Sequence, residues 1–104
     1  MIVTTTPTID GKKLEVIEIV QGSTVRAKHL GRDIMAGFKH LIGGELKGYT
    51  EMMQDARRQA TERMIEEAKA LKADAIVNVK YASSDVAQGA AEVLVYGTAV
   101  TFKK

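Results

Sequence analysis

Ala73-Asp74-Ala75-Ile76-Val77-Asn78-Val79 and Glu92-Val93-Leu94-Val95-Tyr96-Gly97-Thr98-Ala99-Val100 decide the fold of this chain. Both runs are rich in the β-branched residues that favour strands. From Ala91 to Phe102, Ala91, Val93, Val95 and Ala99 share one parity, and Leu94, Tyr96, Val100 and Phe102 share the other. Strand side chains alternate between faces, so apolar residues on both parities predict a sheet covered on both sides. The chain's own helix supplies one cover. In a chain of 104 residues, subunit contacts are expected to supply the second.

Between these strands and the start of the chain lies the strongest helical segment. Thr50 to Leu71 contains no Gly or Pro, and Met53, Ala56, Ala60, Met64, Ala68 and Leu71 recur at spacings of three and four. That spacing is one face of an amphipathic helix, and its three alanines allow close approach to a sheet. A shorter helix is predicted after the N-cap Asp33, carrying Ile34, Met35, Phe38, Leu41 and Ile42 and stopped by Gly43-Gly44. Ile2 to Thr6 reads as a short strand ended by Pro7, and Lys13 to Val20 as a second one. The Asp10-Gly11 turn makes a hairpin of the two, and Gly22-Ser23 breaks the second before an extension over Thr24 to Lys28. Ala75 to Tyr81 is the third strand, Ser83 to Gly89 a polar connection and Ala91 to Phe102 the last strand. The order β-β-α-α-β-β predicts an α+β fold, a mostly antiparallel sheet with one long and one shorter helix packed on it. Residues 1–104 form a single domain on this reading.

Composition narrows the function classes. The fifteen basic and thirteen acidic residues are interspersed, without the concentrated basic face of a nucleic-acid binder. No apolar run approaches the length of a membrane span, and Met1 to Thr8 lacks the pattern of a signal peptide. The absence of cysteine rules out disulfides and thiol catalysis and fits a reducing, cytoplasmic location. Neither a nucleic acid nor a membrane is expected as a partner.

Four segments together resemble the YbjQ-like family of small bacterial and archaeal proteins, which carries a provisional heavy-metal-binding label. They are Gly43-Gly44-Glu45 with Tyr49, the Ala56-Arg57-x-x-Ala60 step, Ala73 to Val79, and Tyr96-Gly97-Thr98-Ala99-Val100. The resemblance covers almost the whole chain. It implies a compact α+β subunit that assembles into a ring-shaped homopentamer, and through the family label a divalent metal as cofactor.

Candidate metal ligands are His29 and His40. A transition-metal site needs three or four fixed Cys, His or carboxylate ligands; two histidines that form no i, i+4 pair are more readily surface or hydrogen-bonded residues. Gly43, Gly44, Glu45, Tyr49 and Arg57 form the best candidate ligand site. Glycines before the Thr50 helix would let backbone approach a ligand, and the helix N-terminus favours an anion. A tight turn around the glycines, and an Arg57 ion pair with Glu45 or a neighbouring subunit, are the simpler readings. Asn78 and Glu92 lie among apolar neighbours and are expected to be hydrogen-bonded across strands or subunits.

No catalytic motif is present: there is no nucleophile elbow, phosphate-binding loop, dinucleotide fingerprint or zinc-protease helix. Ser83-Ser84-Asp85 reads as a turn. The favoured function is therefore a cytosolic homo-oligomeric ring acting as a binding or scaffold protein, interfaced through the last strand, where Val95→Glu or Val100→Glu should disrupt assembly. A metal-binding protein is the alternative, and an enzyme acting on a small anionic substrate the third reading.

Overall fold

The computed structural model describes residues 1–27, 44–87 and 90–104, with backbone alone for 27 and 44–47. The expected helix over 33–42 lies outside the described residues. The elements are β1 (Ile2–Val3), β2 (Lys13–Ala27), α1 (Gly44–Ala70), β3 (Ala75–Ala87) and β4 (Ala90–Lys103). The described residues build an α+β fold with a four-stranded sheet in the order β1-β3-β4-β2.

The sheet is mixed. β4 pairs antiparallel with both β2 and β3, but β1 pairs parallel with β3, Ile2 opposite Ala75 and Val3 opposite Ile76. The hairpin expected between the first two strands is absent; they lie at opposite edges of the sheet. The turn itself forms, with Lys12 N donating to Ile9 O at 3.1 Å and Gly11 at φ 76°. Gly11 has positive φ and Asp10 does not, the pattern of a type II turn, which does not match the twist of hairpin strands as the primed turns do. The chain instead crosses over, and Ile9 packs beside Leu14 and Phe102 against Ala75, Val77 and Val100.

α1 is 27 residues long and starts six residues before the expected Thr50. Glu45, Leu46 and Lys47 are good helix formers, and a lone Gly48 costs only about 1 kcal/mol relative to Ala. The predicted stripe packs on the sheet: Ala56, Ala60, Met64 and Ala68 are fully buried, with Met53 and Leu71 packed against the same cluster. Opposite the stripe stand Val20, Val79, Val93, Val95 and Ala99. Gly22, expected to break β2, lies within that strand and marks its closest approach to α1. A Cβ there would stand 2.6 Å from the Met64 nitrogen and 3.0 Å from the Arg63 Cβ. The register irregularity of β2 falls instead between Val16 and Glu18.

The helix ends in a Schellman motif. Ala73 N donates to Ala68 O at 3.0 Å, Lys72 N to Lys69 O at 2.9 Å, and Lys72 takes φ 61°. Asp74 Oδ2 then accepts from Phe102 N at 2.8 Å, fixing the start of β3 against the end of β4. β3 runs to Ala87, so Ser83, Ser84 and Asp85 are strand and not the expected turn. They pair with Val93, Glu92 and Ala91 of β4, which supplies the ladder that their polar side chains alone do not signal.

Candidate functional site

Two sheet faces follow from the strand registers. Along β4, Ala91, Val93, Val95, Gly97 and Ala99 face α1 and are buried. Glu92, Leu94, Tyr96 and Thr98 face away, and none of these four is buried. The neighbours of Thr98 and Glu92 on β2 are Ile19 and Val25, and Val16 stands opposite Val100. Val16, Ile19, Val25 and Tyr96 are 69%, 70%, 58% and 37% exposed. Ile9, Leu14 and Phe102 cover only the end of this face around Val100. Several exposed apolar side chains thus stand on the side of the sheet that α1 leaves free, interspersed with Gln21, Ser23, Lys80 and Thr98.

Val95 and Val100, the sequence-level choices for an interface, are buried inside the subunit, one under α1 and the other beneath the Ile9–Phe102 cluster. The parity argument identified a second apolar face; it could not rank positions on it. That ranking depends on which residues the N-terminal segment covers and on the β2 bulge, which swaps the faces of the strand after Ile17.

The two edges of the sheet differ. On β2, Gln21 N donates to Glu67 Oε1 at 3.3 Å, and Ser23 O accepts from Arg63 Nη1 at 2.6 Å. Side chains of α1 thereby close the middle of that edge. On β3, β1 pairs only with Ala75 and Ile76, while Thr6 O and Thr4 O accept from Asn78 N and Val79 N. From Lys80 to Ala87 every side chain of β3 is exposed. Tyr81 Oη shares a 2.9 Å hydrogen bond with Thr61 Oγ1, which links this stretch to α1.

The residues singled out for ligand binding are not gathered into a described site. His29, His40 and Gly43 lie outside the described residues. Gly44, Glu45 and Tyr49 sit in the first turns of α1 and not in a loop, because the helix begins early. Tyr49 is at the border of exposure and Arg57 is exposed. At 1.5 Å per residue the two are about 12 Å apart along the helix. Among the described residues no group of three or more His, Cys, Asp or Glu stands together to hold a metal. Asn78 is exposed and not a buried polar group; it takes φ 55° at a bulge, where it and Val79 stand opposite Gly97. Glu92 is half-buried on the open face.

This geometry defines a class: a small α+β protein whose described residues pack one long helix on a mixed four-stranded sheet. The chain belongs to the YbjQ family, whose sequence model, described as "Putative heavy-metal-binding", matches residues 1–103. It is 57% identical over 100 residues to a UPF0145 protein of Clostridium novyi, covering 96% of this chain and 97% of that one. A UPF0145 protein of Archaeoglobus fulgidus is 53% identical over 104 residues, covering 99% and 96%. A crystal structure of a protein of unknown function in the DUF74 family from Pediococcus pentosaceus has the same fold, with TM-score 0.66, 17% identity and coverage of 99% and 98%. No helix among the described residues is long and apolar enough to cross a membrane.

Proposed function

We propose that the protein is a cytoplasmic homo-oligomeric ring of five subunits, working as a binding or scaffold protein and not as an enzyme. The observation that carries this reading is the open apolar face bearing Val16, Ile19, Leu94 and Tyr96. Isolated exposed apolar side chains are ordinary, but a gathering of several on one sheet face supports an interaction site. The subunit supports the same reading by its shape. Its described residues have a radius of gyration of 17.2 Å with extents of 58 × 22 × 16 Å, against about 13 Å for a compact domain of about a hundred residues. An elongated subunit buries less of its own apolar surface and gains more from neighbours. The ring of five comes from the family resemblance, and the cytoplasmic location from the lack of cysteine.

Ile19→Glu tests the face, because Ile19 is exposed in the subunit and a charge there does not enter its core. Sedimentation velocity is expected to give single chains while far-UV circular dichroism keeps the wild-type spectrum. A full-size assembly carrying this substitution would remove the face from the interface.

A metal-binding function is the second reading, supported by the family description. On that reading His29 and His40 supply ligands with carboxylates, either His40 with Glu45 or the same histidine gathered from several subunits. Metal retained at a fixed ratio by the wild type and lost from the His29→Ala/His40→Ala double variant is the expected result. Equal metal content in both would exclude the histidines.

A further inference from the structure

We infer that the tip of the molecule where β2 begins and β4 ends docks on an anionic lipid surface. The inference goes beyond the assembly reading and does not require it. Strands of 15 and 14 residues reach about 50 Å, so β2 and β4 lie along the 58 Å axis. At one end of that axis Lys13 stands opposite Lys103, the last pair of the ladder, and Lys12 Nζ lies 4.9 Å from the centre of the Phe102 ring. The end of α1 arrives at the same place. Asp74 N donates to Val100 O at 2.8 Å and Asp74 Oδ2 accepts from Phe102 N, which brings Lys69 and Lys72 to this tip. Lys12, Lys13, Lys69, Lys72, Lys103 and Lys104 are all exposed. No basic block marks the surface in the sequence, because these lysines come from three separate segments. Composition pointed away from a membrane partner for that reason.

The carboxylates at this tip are Asp10, Glu15 and Asp74. Glu15 Oε2 stands 3.8 Å from Lys103 Nζ, and Asp74 is held by the Phe102 amide. Six lysines against three carboxylates, in a chain of formal net charge +2, leave the tip positive and the rest of the chain slightly negative. A surface of one sign draws an extended partner of the other. Three observations favour lipid over nucleic acid. Every cation here is lysine, whereas bidentate recognition of phosphate uses arginine, and Arg26, Arg57, Arg58 and Arg63 lie on β2 and α1 away from the tip. Bases stack on exposed aromatic rings, but Phe102 is half-buried beneath Lys12. Beside the lysines, Met1 and Ile2 are 48% and 45% exposed, with Ile2 opposite Ala75. Apolar side chains in that position enter the headgroup region while the ammonium groups stay with the lipid phosphates.

Cosedimentation of the full chain with vesicles of phosphatidylglycerol and phosphatidylcholine in equal parts tests the contact. The wild type is expected to partition onto these vesicles at about 0.1 M salt and to leave them at about 0.5 M. With phosphatidylcholine alone it is expected to stay in solution. Lys13→Gln/Lys104→Gln should weaken the partition about 25-fold, at about fivefold per lysine, with an unchanged melting temperature because both side chains are exposed. Arg58→Gln, exposed on α1 away from the tip, should leave the partition within about twofold, since the charge lies more than a Debye length away. Equal binding to phosphatidylcholine alone, no binding to the anionic vesicles, or an unchanged partition in the double variant would overturn the proposal. Tighter binding to duplex DNA than to the vesicles would also overturn it, in favour of a nucleic acid. Sedimentation velocity on the same samples reads assembly separately: vesicle binding by a protein that sediments as single chains would support this contact and remove the ring.

Discussion

At the scale of single residues, three backbone positions fix the local geometry of β3. Lys72 takes φ 61° at the helix end, where an L-residue costs roughly 1–2 kcal/mol more than glycine. Lys72→Gly is therefore expected to stabilise the fold by about 1 kcal/mol, raising Tm by about 4–8 °C in a domain of this size, as thermal denaturation would show. Asn78 at φ 55° is the residue type after glycine that best tolerates this conformation. Asn78→Val should lower stability by about 1–2 kcal/mol, while Asn78→Gly should not, measured by the urea midpoint. Gly97 stands opposite that bulge, and a Cβ there would lie 2.8 Å from Ile76 Cγ2 and 3.0 Å from Val77 O. Gly97→Ala should cost about 1–3 kcal/mol through the displacement it forces. The sequence showed Asn78 and Gly97 as interruptions in apolar strands. Their pairing across a bulge was not legible, because a one-residue register shift leaves no periodic trace once both faces are apolar.

At the scale of elements, the contact between α1 and the sheet was the most readable feature. The stripe from Met53 to Leu71 has helical spacing, and its alanines admit β2 at Gly22. Gly22→Ala would drive a methyl group into the α1 backbone and should destabilise the subunit more than Met64→Ala, which leaves a cavity worth about 2–5 kcal/mol; equilibrium unfolding in urea compares them. Strand partners were less readable. Ile2-Val3 could pair with any neighbour, and its place beside β3 depends on the crossover after Gly11. The helix start was hidden because Gly43-Gly44 and Gly48 signal a turn, whereas the intervening Glu45-Leu46-Lys47 propagates helix. That early start moves Gly44, Glu45 and Tyr49 from a presumed ligand loop onto a helix, and with it the geometry on which an anion site was argued.

At the scale of the whole molecule, one helix covers one face of the sheet, and the N-terminal segment covers one end of the other. Among the described residues, the rest of that second face and the distal end of β3 are left without cover. The sequence indicated a second apolar face by the apolar residues on both parities of β4, while which of its positions stay exposed was not legible. Native mass spectrometry of the full untagged chain tests the central claim most directly. The proposed assembly predicts one dominant species with the mass of five chains, and incubation with divalent metals then reads the metal content of the same species. A spectrum dominated by single chains at micromolar concentration would contradict the assembly, and with it the role given to the open face.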